Sequence, residues 1–462
     1  MIPPAEDWSA RRFHFVGIGG AGMSGLAIIA RELGAAVTGS DRAESSYTER
    51  LREHGIEPVR GHSADSVPPG AEVVYSTAVP PENPERVAGA SRELHRSELL
   101  AQIASLRRCL AVTGTHGKTT TAAMIVHILQ GCGLDPAYVV GGELGDTGVN
   151  AGWGHGEWIV VEADESDRSL LKLSPEIALL TNAELDHHST YSSRLDLEDT
   201  LREFLSRATL GAVVWDRPEL VALCPPGALA YDAADTAMSP RGSRFHWRGI
   251  EVVLAVPGAH NAVNAAGALT ASALAGAEPE PAAATLATFR PARRRFELLG
   301  TTATGVPVYD DYAHHPTEVA ATIAAARTLA PARLVAVFQP HLYSRTRALS
   351  RQFGRALAGA DIAVVLAVYP ARERAEDFPG VDGHLVAAAA GDAAEGRTVA
   401  WMPSMEDARR YLSATLREGD LYLGMGAGDI DSLSRSLVGR TETIRPESRG
   451  RGPSGEDAGS DA

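Results

Sequence analysis

The chain has 462 residues, more than one hydrophobic core usually serves, so two or three domains are expected. With 44% apolar and 22% charged residues the composition is that of a soluble globular enzyme, and no apolar run approaches the roughly 20 residues of a membrane helix, which argues against membrane insertion. The balance of 43 basic against 58 acidic residues, net −15, argues against nucleic-acid binding by general electrostatics but permits a local basic pocket for phosphates.

The N-terminus, "MIPPAEDWSARRF", lacks the residue order of an export signal, and Cys109, Cys132 and Cys224 are few, odd in number and far apart, so a reducing cytoplasm is expected. Nearly all the basic residues are arginine, lysine occurring only at positions 118 and 172.

From the N-terminus, "FHFVGIGG", a helix to Leu33, "AAVTGSD" and "AEVVYSTAVP" alternate apolar strand and helix patterns and predict an α/β unit over residues 1–107. Gly17, Gly19 and Gly22 fit G-x-G-x-x-G between a strand and a helix, and Asp41 ends the next strand about 20 residues on. Glycine there lets the backbone approach a pyrophosphate, and an acid can hold a ribose. Such a loop points to NAD, yet a full dinucleotide fold needs two halves and only about 100 residues precede the next glycine loop. Half a site suits a ligand with one nucleoside and a diphosphate; a tight turn without a ligand is the alternative.

A second unit, residues 108–290, opens with strand "CLAVTG", a loop, and a helix from about Thr120 to Gln130. The loop "GTHGKTTT" resembles G-x-x-x-x-G-K-S/T, but Val112 stands where the first glycine belongs. Gly114 to Thr119 still offers backbone N–H groups at a strand-to-helix turn, a lysine for the outer phosphates and a hydroxyl for Mg²⁺. The strands "WIVVEADES" and "EIALLTNAE" leave Glu162 and His187 at their exits, where parallel neighbours of the loop strand would converge on one crevice as metal ligands. A β excursion around "PPGALAYDAADTAMSPRGSRF" then leads to the Ala-rich helix of "VPGAHNAVNAAGALTASALAG".

A third unit, residues 291–440, has expected strands "VPVYDD", "RLVAVFQP", "DIAVVLAVYP" and "DLYLGMGAG", and the polar tail 441–462 is expected to stay unfolded. No internal repeat is evident.

The motifs "FVGIGGAGMSGLA", "VTGTHGKTTT", "VEADESD", "TNAELDHH", "PGAHNAVNA", "RRRFE", "DDYAHHPTE", "FQPHLYSRTR" and "GAGDI" occur in an order that resembles the Mur ligases, from about Arg12 to about Leu437. The resemblance implies a three-domain α/β protein: a Rossmann-like N-terminal domain for a UDP-sugar, a central ATP-binding domain with a phosphate loop, and a C-terminal Rossmann-like domain for the amino acid. It implies an ATP- and Mg²⁺-dependent ligase of peptidoglycan synthesis that joins L-alanine to UDP-N-acetylmuramate, as a monomer or homodimer. Gly17, Ile18, Gly19, Gly20, Ala21, Gly22 and Met23, with Asp41, Ser76 and Thr77, would bind the UDP-sugar. Gly114, Thr115, His116, Gly117, Lys118, Thr119, Thr120, Asn261, Asn264, Arg295 and Asp311 would bind ATP, with Thr119, Glu162 and His187 serving the metal. Lys118, Glu162, His187, His314 and His315 would be catalytic, and Arg345 and Arg347 would receive the alanine carboxylate. His314 and His315 are equally readable as a hydrogen-bonded hinge ahead of Pro316. Two departures stand out: Ser189 replaces an acidic residue usual in the family, and no lysine follows to be carbamoylated, as one is in some sister enzymes. A ligase that recycles a ready-made tripeptide, an NAD-dependent dehydrogenase and a non-catalytic nucleotide sensor remain as rivals.

Overall fold

The computed structural model describes residues 8–186 and 190–439, so His187, Ser189 and the tail 441–462 lie outside it.

In the first unit the strand Arg12–Val16, apolar and buried past its first residue, lies mid-sheet between Ala36–Asp41 and Glu72–Tyr75. Val59–Arg60 and Glu93–His95 complete five parallel strands in the order 3-2-1-4-5. These two edges, of two and three residues, are too short to show a periodicity, which is why the pattern alone reveals three strands. The order reverses at the C-terminal end of the first strand, where open α/β sheets bind ligands, and the glycine loop and helix Ala21–Glu32 start there.

The central sheet has seven strands, running Leu229–Tyr231, Gly211–Trp215, Ile177–Leu180, Arg108–Thr113, Trp158–Glu162, Ala137–Val139 and Ala151–Gly152 across it, all parallel except the last. The loop strand is thus flanked by the strand that ends at Glu162 and by the strand Ile177–Leu180: Val112 pairs with Glu162 on one side and Leu179 on the other. The β excursion is a three-stranded antiparallel sheet over Ala234–Ser239, Gly242–Trp247 and Ile250–Leu254. The helix Ala259–Leu274 packs against the helix Lys118–Gly131, its small residues allowing close approach.

In the third unit six strands run Glu297–Thr301, Pro307–Asp311, Asp420–Met425, Arg333–Phe338, Ile362–Val365 and Thr398–Trp401, the first antiparallel and the rest parallel. One apolar core runs continuously from Phe13 and Leu26 of the first unit to Ile159 and Phe204 of the second. The third sheet has cores of its own on its two faces, around Phe338 and Tyr422.

Candidate functional site

A cavity of about 890 Å³ lies where the three units meet. The phosphate loop forms its floor. Gly114 has φ 126° and Gly117 φ 79°, both left-handed; a Cβ at Gly114 would collide with Thr181 and Asn182, and one at Gly117 would meet Asn264 Oδ1 at 2.7 Å. Asn182 grips the loop from the neighbouring strand exit, its Oδ1 accepting from His116 N at 2.9 Å and its Nδ2 donating to His116 O at 2.9 Å. Val112 is a fully buried strand residue, so the loop is shorter because the strand simply continues through the place of the first glycine. No side chain caps the helix that follows, and its first-turn N–H groups and dipole are left for an anion.

Lys118 Nζ donates to Gly114 O, to Thr115 O at 3.2 Å and to Glu165 Oε2 at 2.8 Å. Burial disfavours its charge, but Glu165 and Asp164 outweigh this and raise its pKa. Burial lifts Glu165 to about 7 despite the lysine, whereas Asp164, half-buried on the cavity wall, is held near 2 by Lys118 and Arg96 against its partial desolvation. Thr115, Gly117, Lys118 and Thr119 line the cavity, while Thr120 is buried in the helix below.

Glu162 Oε2 accepts from Thr119 Oγ1 at 3.1 Å, and Glu162 Oε1 from Gly141 N. Burial raises the Glu162 pKa, so a cation there would restore the ionised form. A carboxylate and a hydroxyl, side by side on the cavity wall, fit a hard divalent ion. His187 falls outside the described residues, and Arg295 Nη2 reaches Thr119 Oγ1 from the third unit at 3.4 Å.

From the first unit Ala21 and Gly22 line the same cavity, with Ser45, Ser46, Tyr47 and Arg96. Gly17, Ile18, Gly19 and Gly20 form the turn behind them, Met23 is buried in the helix that follows, and Ser76 and Thr77 sit beyond a neighbouring strand and off the cavity wall. Asp41 is occupied within this turn: its Oδ2 accepts from Gly19 N at 2.8 Å and its Oδ1 from Ala43 N at 3.2 Å. A Cβ on Gly19 would lie 2.9 Å from the same carboxylate. The acid that suggested a ribose therefore braces the loop.

Several expected site residues of the central and third units make contacts within the fold. Asp311 is buried off the cavity, accepting from Phe296 N and Ala313 N, both at 2.7 Å; burial lifts it to about 6. Asn261 donates to Pro257 O at 2.8 Å, and Asn264 packs under Gly117, so both shape the phosphate loop's surroundings. His315 caps the helix Pro316–Arg327 in a reciprocal box with Glu318, while His314 lines the cavity with Nδ1 3.0 Å from Tyr312 O. Burial, only partly offset by Glu318 and aided by Arg345, pushes His314 down to about 3. Arg345 and Arg347 are not brought together: two residues apart on one helix, they point to opposite faces. Arg345 is buried against Asp186, and Arg347 is exposed over the Phe378 ring.

Sequence reasoning missed an interdomain cluster. His116 of the loop lies between Glu184 (Nε2 to Oε2, 3.6 Å) and Glu318 of the third unit (Nδ1 to Oε1, 3.3 Å), with the His315 ring tilted against it at 4.4 Å between centroids. Burial lowers its pKa, but the two glutamates outweigh that and raise it to about 9, while His116 and Thr317 hold Glu184 near 2. One donor atom each from His116, Glu184 and His315 fall within 4.8 Å of one another. The signal was the string of polar residues after each strand, which shows that a cluster exists but not its partners.

Two parallel sheets sharing a core, a third on its own core, and a phosphate loop facing a glycine turn define a three-domain α/β enzyme that works on nucleotide phosphates. Family models tile the chain: Mur ligase family, catalytic domain, over residues 12–108; Mur ligase middle domain over 112–272; and Mur ligase, glutamate ligase domain, over 294–428. The UDP-N-acetylmuramate–L-alanine ligase of Mycobacterium sp. (strain JLS) is 41% identical over 94% of this chain and 96% of its own, and that of Acidithiobacillus ferrooxidans 42% over 93% and 97%. The solved UDP-N-acetylmuramate-alanine ligase of Thermotoga maritima superposes with TM-score 0.80 at 28% identity, covering 92% of this chain and 98% of its own. A murein peptide ligase of Psychrobacter arcticus shares the fold with TM-score 0.68 at 22% identity, over 93% and 98% of the two chains. The chain belongs to the Mur ligase family and is an ATP-dependent ligase.

Proposed function

We propose that this enzyme joins L-alanine to the lactyl carboxylate of UDP-N-acetylmuramate, using ATP, in cytoplasmic peptidoglycan synthesis. The observation that carries the reading is the shared cavity: the head of the first-unit helix at Ala21 and Gly22 and the phosphate loop at Lys118 and Thr119 line one space, with Arg295 entering from the third unit. The two relatives that share about two-fifths of its residues carry that activity in their names.

A carboxylate does not acylate an amine in water, because the departing group would be an oxide. Transfer of the ATP γ-phosphoryl group to the lactyl carboxylate gives an acyl phosphate and ADP; the alanine amine then adds to the acyl carbon and phosphate departs. Such a reaction needs positioning and positive charge more than a nucleophilic side chain. Lys118 exchanges its contacts with the loop carbonyls for phosphate oxygens, the uncapped helix head adds N–H donors, and Arg295 brings a guanidinium from the third unit. Mg²⁺ held by Thr119 and Glu162 would supply Lewis-acid charge at those oxygens. His314 presents an uncharged imidazole on the cavity wall, but the burial that pushes it down to about 3 makes it a weak acceptor for the proton of the attacking amine. His315 is committed to its helix cap.

A dehydrogenase reading gives Lys118 no task and needs Asp41 free for a ribose, whereas that carboxylate binds Gly19 N. Phosphate release by the purified chain, with ATP, Mg²⁺, UDP-N-acetylmuramate and L-alanine omitted in turn, tests the reading. Release is expected only in the complete mixture. Release that persists without alanine, or that needs the tripeptide in its place, would replace the proposed acceptor.

A further inference from the structure

Three side chains that meet where the phosphate loop touches the third unit have the donor set of a metal site. His116 comes from the phosphate loop, Glu184 from the exit of the strand Ile177–Leu180, and His315 from the head of the helix Pro316–Arg327. Glu184 Oε2 lies 3.6 Å from His116 Nε2 and 3.7 Å from His315 Nδ1. Ligand atoms around a tetrahedral zinc ion with bonds of about 2.1 Å stand about 3.4 Å apart, so both carboxylate-to-imidazole separations are close to a coordinating set. The separation between the imidazoles, no more than 4.8 Å, is the one an ion must draw in.

Two further observations point to a cation. His116 Nε2 is buried and has no hydrogen-bond partner among the described residues, on a side chain that is 10% exposed. The other ring nitrogen faces a carboxylate, Glu318 Oε1, at 3.3 Å, the arrangement that fixes the tautomer of a metal-bound imidazole. Glu184 Oε2 in turn accepts from Thr317 Oγ1 at 2.6 Å, which holds it beside the two rings. Charge agrees with this geometry. Burial and the neighbouring His116 push His315 down to about 4, so among these four side chains two carboxylates face the single proton of His116. A divalent ion in place of that proton balances both.

We propose that His116, Glu184 and His315 form a binding site for Zn²⁺, separate from the Mg²⁺ position at Thr119 and Glu162, and that the ion ties the third unit to the phosphate loop. Two imidazoles and one carboxylate suit Zn²⁺ rather than Mg²⁺, which takes an octahedron of oxygens. The ion enters past Glu184, whose side chain is 40% exposed. It displaces the long contact of 3.4 Å from Thr317 N to His315 Nδ1, while Glu318 still accepts from His314 N and His315 N at the helix head. It also takes the place of the His116 proton, so affinity falls as pH is lowered. Such an ion would bind whichever amino acid the ligase accepts.

Titration of the metal-free full chain with Co²⁺ and then Zn²⁺, at mildly alkaline pH and with Mg²⁺ in excess, tests the site. One equivalent of Co²⁺ is expected to give the strong visible absorption of a four-coordinate ion; Zn²⁺ then abolishes it and raises the melting midpoint. Glu184→Gln, and His315→Asn with its capping side chain, each weaken Zn²⁺ binding by at least about 100-fold, since loss of a ligand costs more than loss of the group behind one. Glu318→Gln, which leaves all three ligands in place, weakens it by about tenfold. Glu162→Gln keeps the Co²⁺ absorption and the Zn²⁺ affinity. The proposal is overturned if the unaltered chain binds no stoichiometric Co²⁺, or if the absorption is the weak one of an octahedral ion. Binding lost in Glu162→Gln and kept in Glu184→Gln also overturns it, by placing the ion at the Mg²⁺ position.

Discussion

At the scale of single residues, the site depends on groups held where their solvation alone would not keep them. Lys118 keeps its proton in a buried setting because Glu165 and Asp164 face it and two loop carbonyls accept its hydrogens. When phosphates enter, the same ammonium is already positioned, so its contribution to transition-state charge needs little reorganisation. Lys118→Ala is expected to lower kcat by roughly 10²-fold or more, as loss of one preorganised electrostatic partner does. Single-turnover phosphate release reads this directly, and near-normal turnover would remove the loop from the chemistry. At the same scale, Asp41 shows how one residue type serves two purposes: at the end of the second strand an acid can hold a ribose, but here it accepts from Gly19 N. The spacing of glycines and acid is identical in both cases, and only the atom nearest the carboxylate separates them.

At the scale of elements, the helix Pro316–Arg327 ties the third unit to the phosphate loop. His315 and Glu318 close its N-terminus, Glu318 also faces His116, and Thr317 Oγ1 donates to Glu184 at 2.6 Å. The signs give a pH window. His116, lifted to about 9 in the fold, contributes fully below its ordinary value near 6.5 and loses that contribution as pH rises through about 9. Glu184, held near 2, contributes above the ordinary glutamate range and loses its contribution as pH falls through about 2. His116→Asn should therefore destabilise the protein by on the order of 2 kcal/mol near pH 6, and by far less at pH 9.5. Thermal melts of both proteins across that range check it; a gap independent of pH would show that His116 acts by packing. The strands whose apolar runs are long, such as Arg108–Thr113 and Asp420–Met425, were legible from sequence, whereas Val59–Arg60 and Ala151–Gly152 were not, since two residues carry no period.

At the scale of the whole molecule, two units share an apolar core while the third has cores of its own and meets them partly through charged contacts: Arg345–Asp186, His116–Glu318 and Arg295–Thr119. Contacts of this kind can be exchanged for ligand charges, whereas an apolar interface can only be buried or exposed. The nucleotide and the sugar nucleotide should then bind cooperatively, each favouring the arrangement that completes the other's site. ATP with Mg²⁺ and UDP-N-acetylmuramate together are expected to raise the apparent melting midpoint by more than the sum of their separate effects, where each alone at about 100 times its Kd stabilises by about 2.7 kcal/mol. Strictly additive shifts would mean that the two ligands do not share a closed cavity.

By itself the sequence determined the α/β character, the places where strands hand over to helices through glycine, the lone lysine at the second of those turns, and a motif order that identifies the family. These are local properties, written in adjacent residues by period, backbone freedom and side-chain chemistry. Only the tertiary structure decided which charges meet. Arg345 and Arg347 differ by two positions, yet one is buried on Asp186 and the other lies exposed over Phe378; Asp41 faces a backbone amide and His315 caps a helix. The energy of a charge depends on what lies within a few ångströms of it and on whether water reaches it, and in this chain those neighbours range from two residues away at the His315 cap to 159 between Asp186 and Arg345.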